Sequence, residues 1–235
     1  MILSDIRDRV YYRLGRTGDT VLNSEILDAL NMVQRENQYL INFDVLRTSA
    51  NLTVVASTQS YNLASNFNKM YMIWESNSYR HELMRITPEE YKLYLSDVDT
   101  TTGTPYYYDI YDSAVSSGTY LKKISLFPVP SADATTPYHY FKTLSALTED
   151  SDENILMELY PDLYIEGASY YIYRDIIYRD MPEKIAFRQA QYQKQVEIVK
   201  IAQRQPGRID KVSPKRYIQG KVRRLFQNQY TGYTS

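Results

Sequence analysis

No cysteine occurs anywhere in the chain. That excludes disulfides, thiolate metal sites and cysteine nucleophiles, and leaves the cytosol as the expected site of synthesis. No apolar run approaches the ~18–20 residues needed to cross a bilayer, so no membrane association is expected. The opening stretch, Met1-Ile2-Leu3-Ser4-Asp5-Ile6-Arg7-Asp8, mixes charge with apolar side chains at helical spacing. A secretory signal needs a basic start and an unbroken apolar segment instead. Histidine is scarce too. His81 and His139 are far apart, and His81-Glu82 runs on into Leu83-Met84-Arg85, which breaks the H-E-x-x-H zinc pattern. Both read as surface or strand residues. With eight glycines, the chain contains neither phosphate-binding glycine pattern and no G-x-S-x-G elbow. The pairs Glu89/Glu90 and Asp97/Asp99 have the chemistry for acid–base work, but Glu90 fits a helix-capping role and nothing gathers around the others. The acidic run Glu149-Asp150-Ser151-Asp152-Glu153 lacks the alternating ligands and internal glycine of a calcium loop and reads as a solvated loop before a helix. No catalytic, cofactor-binding or metal-ligating residue is assigned, and a non-enzymatic protein without a cofactor is expected.

What the chain does have is enough apolar material for a core. At 235 residues, 43% hydrophobic and 23% charged, it suits one large domain or a core domain with an insert. Its 25 tyrosines stand against 6 phenylalanines and 1 tryptophan. Tyrosine pairs a large apolar ring with a polar tip and is enriched at protein interfaces; AT-rich codon bias would also raise its number. The net charge of −1 hides an asymmetry. From Arg204 onward there are eight basic residues and one acid, so that tail carries +7 and the preceding body −8.

Leu3, Ile6, Val10 and Leu14 recur at helical spacing and Gly15 follows as a stop, which predicts a helix over 3–14. A second helix is predicted from an N-cap at Asn23 or Ser24 to about Ile41, with Ile26, Leu30, Val33 and Leu40 on one face. The character changes near Phe43. Strands are predicted over Val45–Val55, Gln59–Leu63, Lys69–Ser76, Glu82–Ile86, Thr104–Tyr111, Tyr120–Phe127 and Tyr138–Thr143, with a turn at Gly118-Thr119. Thr87-Pro88-Glu89-Glu90 carries a capping box for a helix that should turn Tyr91, Tyr94 and Leu95 toward the sheet. Helix returns after the acidic loop. Residues 161–178 are apolar or aromatic almost all round, the mark of a helix buried on every side. A neighbouring subunit is expected to cover part of it, with Tyr164, Ala168, Tyr171, Ile172, Tyr173 and Ile176 at the interface. Pro182 opens a further helix to about Gln203, with Ile185, Tyr192, Val196 and Val199 on one stripe and a polar opposite face.

Pro206-Gly207 then breaks the chain. Arg204, Arg208, Lys211, Lys215, Arg216, Lys221, Arg223 and Arg224 admit three readings. They could neutralise nucleic-acid phosphates while tyrosines stack on bases. They could form a docking arm for an acidic partner, anchored by Tyr217, Leu225, Phe226 and Tyr230. Or the segment is a solvated terminus, although its apolar residues argue against pure solvation. Ser213-Pro214 could start a short helix carrying Ile218, Val222 and Leu225.

Gly103-Thr104-Pro105-Tyr106-Tyr107-Tyr108 is followed, about twenty residues on, by Ile124-Ser125-Leu126-Phe127-Pro128-Val129-Pro130. An acidic stretch before a helix comes next, over Leu147–Leu159. Together with Ala29-Leu30-Asn31 in the second helix and the extended Thr58-Gln59-Ser60-Tyr61-Asn62-Leu63, this order resembles the head-to-tail adaptor, or connector, family of tailed bacteriophages. The family often has a glycine where Ser57 or Thr58 stands. The resemblance spans residues 1–203. It implies a structural virion protein at the head–tail interface: a ring of twelve copies beneath the portal, bound to neighbouring subunits and to a tail or nozzle protein, with genomic DNA passing through the lumen. A C-terminal arm docks on the portal in such proteins, and the basic tail sits where that arm would. The expected fold is α+β, with a helical bundle from 1–42 and 155–203, a β-rich insert over 43–154 and a docking arm over 204–235. Two alternatives stay open, a nucleic-acid-binding protein that uses the tail and another ring component of the phage tail.

Overall fold

The computed structural model describes residues 1–17, 19–75, 81–87, 89–90, 102–114, 120–177 and 181–203. Its order is helix, strand, helix, and its class is α+β. Helix α1, Leu3–Leu14, buries Leu3, Ile6, Val10, Tyr11 and Leu14. It ends where Gly15 takes φ +69°, a left-handed conformation that glycine adopts without steric cost. There the Gly15 and Arg16 amides donate to the Tyr12 and Tyr11 carbonyls. Helix α2, Asn23–Leu40, grows out of a 3₁₀ turn at Thr20–Leu22, so neither Asn23 nor Ser24 serves as its N-cap. Asn23 instead accepts a hydrogen bond from the Tyr11 hydroxyl at 2.7 Å, tying α2 to α1.

Among the described residues, nine strands follow. Strands β1 (Arg47–Val54), β9 (Ala134–Lys142) and β3 (Phe67–Ile73) form an antiparallel sheet in the order β1-β9-β3. Its register runs from Arg47 opposite Phe141 to Val54 opposite Ala134. Strands β2 (Ser60–Asn62), β7 (Tyr120–Phe127), β6 (Tyr107–Ala114) and β4 (Met84–Arg85) form a second sheet, with β4 parallel to β6. Both sheets supply one core: Leu52, Val54, Ile73, Ile124, Leu126, Tyr138 and Tyr140 sit in it with Phe67 and Tyr108. Residues two apart along β1, β7 and β9 share that face, as the strand period demands. Short β5 (Thr102–Gly103) and β8 (Val129–Pro130) pair in parallel. The capping box forms as expected: the Thr87 amide donates to Glu90 Oε2 and the Glu90 amide to Thr87 Oγ1, both at 3.2 Å. Tyr91, Tyr94, Leu95 and the Gly118-Thr119 turn lie outside the described residues.

Asn154 caps α3, Ile155–Leu159, by accepting from the Met157 amide at 2.8 Å. Helix α4, Pro161–Ile172, starts with proline at its first position and passes at Tyr173 into a π-helical turn to Ile177, in place of the uninterrupted helix expected to 178. Helix α5 spans Pro182–Gln203, as its proline and stripe indicate. The helices before and after the strands share a second core, in which Ile6, Leu30, Val33, Leu163, Ile172 and Val196 all lie. Phe43, Leu46 and Leu147 bury in it as well.

Along α2 the side-chain amides act as a substitute strand edge for the segment leaving β9. Gln38 Oε1 accepts from the Leu144 amide at 2.8 Å, and Gln34 Nε2 donates to the Ser145 carbonyl at 2.7 Å. Asn31 exchanges two hydrogen bonds with the Leu147 backbone, at 2.8 and 3.0 Å. Gln34 and Gln38 are buried, and these bonds supply the partners that burial demands.

Candidate assembly surfaces

Helix α4 runs through the middle of the helical core. Gly167 explains how closely it is gripped: a Cβ there would lie 2.5 Å from Val33 Cγ2 on α2 and 2.9 Å from Tyr192 Cε2 on α5. One residue earlier, the Glu166 carboxylate is buried between Arg13 of α1 and Arg188 of α5. The Arg188 guanidinium also lies over the Tyr173 ring, at 4.7 Å. On the next turn, two phenols converge on one carboxylate oxygen. Tyr171 and Tyr192 donate to Glu36 Oε2 at 2.5 and 3.0 Å, and Asn37 Nδ2 donates to the Tyr192 oxygen at 2.8 Å. Burial first, and then the neighbouring Glu36, push both phenols well above the usual tyrosine range, so they stay protonated and donating. These contacts lock α2, α4 and α5 to one another.

The residues expected at a subunit interface fall on this helix and on the π-helical turn that follows it. Tyr164, Ala168, Tyr171 and Ile172 are buried within the chain itself, Tyr164 to 1% exposure. Neighbouring helices of the same chain cover these four. Tyr173 is half-buried and Ile176 is 43% exposed, and of the six these two keep accessible surface. Many tyrosines likewise serve the interior: Tyr138 accepts from the Ala64 amide and Tyr140 donates to Asn66 Oδ1, each with its ring in the strand core. The twelve residues assigned to the docking arm, from Arg204 to Tyr230, lie outside the described residues.

Surface missed in the sequence lies on α5. Its inward stripe is Tyr192, Val196 and Val199, as expected. Its outer side, read as polar, also presents Phe187, Ile198 and Ile201, the last 63% exposed. The signal was present in the spacing, since positions 187, 198 and 201 fall on one helical face around Lys194. On α2, Met32 and Tyr39 are exposed beside Asp28 in the same manner.

The two histidines hold structure. His81 Nδ1 lies 3.1 Å from the Glu75 carboxylate and its Nε2 2.8 Å from the Pro105 carbonyl, with the ring stacked on Tyr106. His139 stacks on Trp74. The acidic loop is occupied as well. Arg7 grips Asp150 with two hydrogen bonds, at 2.5 and 2.8 Å, and Asp152 accepts from the Thr148 and Glu149 amides. Among the described residues, no cluster of three metal-binding side chains occurs, and no helix is long and apolar enough to cross a membrane.

The two motif segments that carry the family resemblance meet in space. Gly103 pairs with Pro130 across β5 and β8, the Tyr106 amide donates to the Phe127 carbonyl at 2.9 Å, and the Ser131 amide donates to the Gly103 carbonyl at 3.1 Å. Gly103 is close enough to Pro128 that a Cβ would stand 3.3 Å from the proline ring. The sequence pattern therefore marks one local structure rather than two independent turns. No curated protein matches the chain. The family model described as SU10 adaptor protein matches residues 1–213, past the end of α5 and into the basic tail. With that match over most of its length, the chain belongs to the SU10 adaptor protein family, whose members are phage structural adaptors.

Proposed function

We propose that this protein is the head-to-tail adaptor of a tailed phage, a structural virion subunit without catalytic activity that forms a ring beneath the portal, joins it to the tail and retains packaged DNA. The observation that carries the reading is the adaptor-family match over residues 1–213. In this reading, 1–42 and 155–203 form the helical bundle, 43–154 the β-rich insert and 204–235 the docking arm, in a ring of twelve copies.

Charge supports the division of labour. A body of net −8 repels DNA across a ring lumen, so the genome can slide without being gripped. A tail of +7 with Tyr217, Leu225, Phe226 and Tyr230 suits an acidic groove on the portal, with the aromatic and apolar residues as anchors.

The test is the mass of the purified full-length chain, alone and mixed with the portal ring of its phage. Stoichiometric joining of the portal ring, lost when residues 204–235 are removed or their eight basic residues are replaced while the fold persists, supports both adaptor and arm. Failure to join the portal, combined with DNA binding that weakens steeply with salt, overturns the adaptor reading in favour of nucleic-acid binding.

A further inference from the structure

The chain leaves α5 beside an acidic strip of its own surface. Gln203, the last residue of α5, is fastened through both ends of its side-chain amide: Nε2 donates to the Tyr160 hydroxyl at 2.6 Å, and Oε1 accepts from the Asp44 amide at 2.9 Å. Tyr160 joins α3 to α4. The tail therefore sets out from this joint, flanked by Glu158 and the 49% exposed Leu159 on one side and by Asp162 on the other.

No lysine or arginine occurs between Lys142 and Arg174, a stretch that holds seven acids. Three of the seven are used inside the chain. Arg7 holds Asp150, the Thr148 and Glu149 amides hold Asp152, and Arg13 and Arg188 flank Glu166. The other four, Glu149, Glu153, Glu158 and Asp162, are exposed and carry no side-chain hydrogen bond or ion pair among the described residues. Lys200, one turn before Gln203, already pairs with Glu197 at 2.8 Å.

The segment beyond Gln203 supplies the missing sign. Its first 21 residues, 204–224, hold eight basic side chains and the single acid Asp210. Extended, they reach about 70 Å, farther than residues 149–162 run even when fully drawn out. Tethering at Gln203 keeps them at an effective concentration of about millimolar, so weak pairs are enough and a separate molecule competes poorly.

We infer that in the unassembled chain residues 204–224 lie against the strip 149–162 of the same copy, with their cations on Glu149, Glu153, Glu158 and Asp162. Exposed ion pairs of this kind are weak singly and screened by salt, which makes the contact releasable. An acidic portal groove then competes with an acidic strip for one set of cations, so the subunit keeps its arm covered until the portal takes it. That last step rests on the docking-arm reading above; the contact itself does not.

Carbodiimide, which joins a lysine amine directly to a carboxylate, reads the contact on the wild-type full-length chain. Links are expected from Lys211, Lys215 or Lys221 to Glu149, Glu153, Glu158 or Asp162, and they should fade as salt is raised. Mixing chains of light and heavy nitrogen separates contacts within a copy from contacts between copies. In a second measurement, Glu149→Gln, Glu153→Gln, Glu158→Gln and Asp162→Asn are combined in one chain. Trypsin should then cut the tail severalfold faster. Portal affinity should rise about tenfold, the gain expected when an arm covered about nine-tenths of the time is freed. Absence of those links, links that mix light with heavy, or unchanged trypsin cleavage would overturn the inference, the mixed links by naming a second copy as the occupant. Links within a copy together with an unchanged portal affinity would overturn the covering role. If the links form and neither chain joins the portal, the docking-arm reading fails and the self-contact stands.

Discussion

A methyl group added at Gly167 would land inside van der Waals contact of Val33 and Tyr192 together. Val33 is β-branched and stiff at χ1, so it has little freedom to yield. Alanine gains about 1 kcal/mol of helix propensity over glycine, but overpacking a tight contact costs about 1–3 kcal/mol. Gly167→Ala should therefore destabilise the fold by up to about 2 kcal/mol, read as a lower denaturant midpoint; a raised midpoint would rule out so close an approach. The acidic loop supplies a pH prediction. Two hydrogen bonds from Arg7 hold the Asp150 carboxyl below the usual range, and the Glu149 and Thr148 amides do the same for Asp152. A depressed folded value means that the stabilising effect is present above the unfolded value of about 3.9 and is lost as pH falls through the folded one. Both carboxyls should titrate below about 3.9 by NMR, and the backbone bonds from Leu3 and Ser4 to the Asp152 and Asp150 carbonyls should loosen as they do. Midpoints at or above 3.9 would count against these bonds. None of this was legible residue by residue. The acidic run was visible as a loop, but its partner Arg7 lies 143 positions away, and Gly167 carries no local signal of what it touches.

At the scale of the elements, periodicity served well where one face meets a core. Helices α1 and α5 end where their stop and start residues say, and β7 covers the run read as a strand. Misses have physical reasons. Strand β9 begins at Ala134, four residues before the expected Tyr138, because Pro137 reads as a breaker. It pairs with Asn51 in the middle strand of its sheet, where its carbonyl still accepts from the Trp74 amide. Strands β5 and β8, of two residues each, exist only because distant segments meet. Helix α4 read correctly as buried all round, but periodicity cannot say whether the cover comes from the same chain or the next. The polar seam along α2 offers a test at this scale. Gln38→Ala removes the acceptor for the Leu144 amide at a buried position, which should cost about 1–3 kcal/mol. Hydrogen exchange should show the Leu144 amide losing protection while amides in the β6–β7 pair keep theirs. Retained protection at Leu144 would mean another acceptor takes over.

For the molecule as a whole, the family was legible because its motifs mark a structural joint, the β5–β8 pairing, and their order survives in the sequence. The assembly surface was harder to read. Exposed Phe187, Ile198 and Ile201 share one helical face, but lysine, glutamine and glutamate between them make that face read as polar. A separate consequence follows from the way α1 and α2 share their core with α4 and α5 across the intervening strands. During synthesis, at roughly 5–20 residues per second, the first two helices leave the ribosome many seconds before their partners exist. Their apolar faces must wait, while the strands between them can pair among themselves. Long separation between contacting segments also slows closure of the helical core. Ribosome-bound chains stalled before α4 emerges should leave α1 and α2 open to protease, and chains stalled with all of α5 clear of the exit tunnel should protect them. The helical half would then be the last part of each newborn chain to become whole, so that translation itself times when the fold is complete.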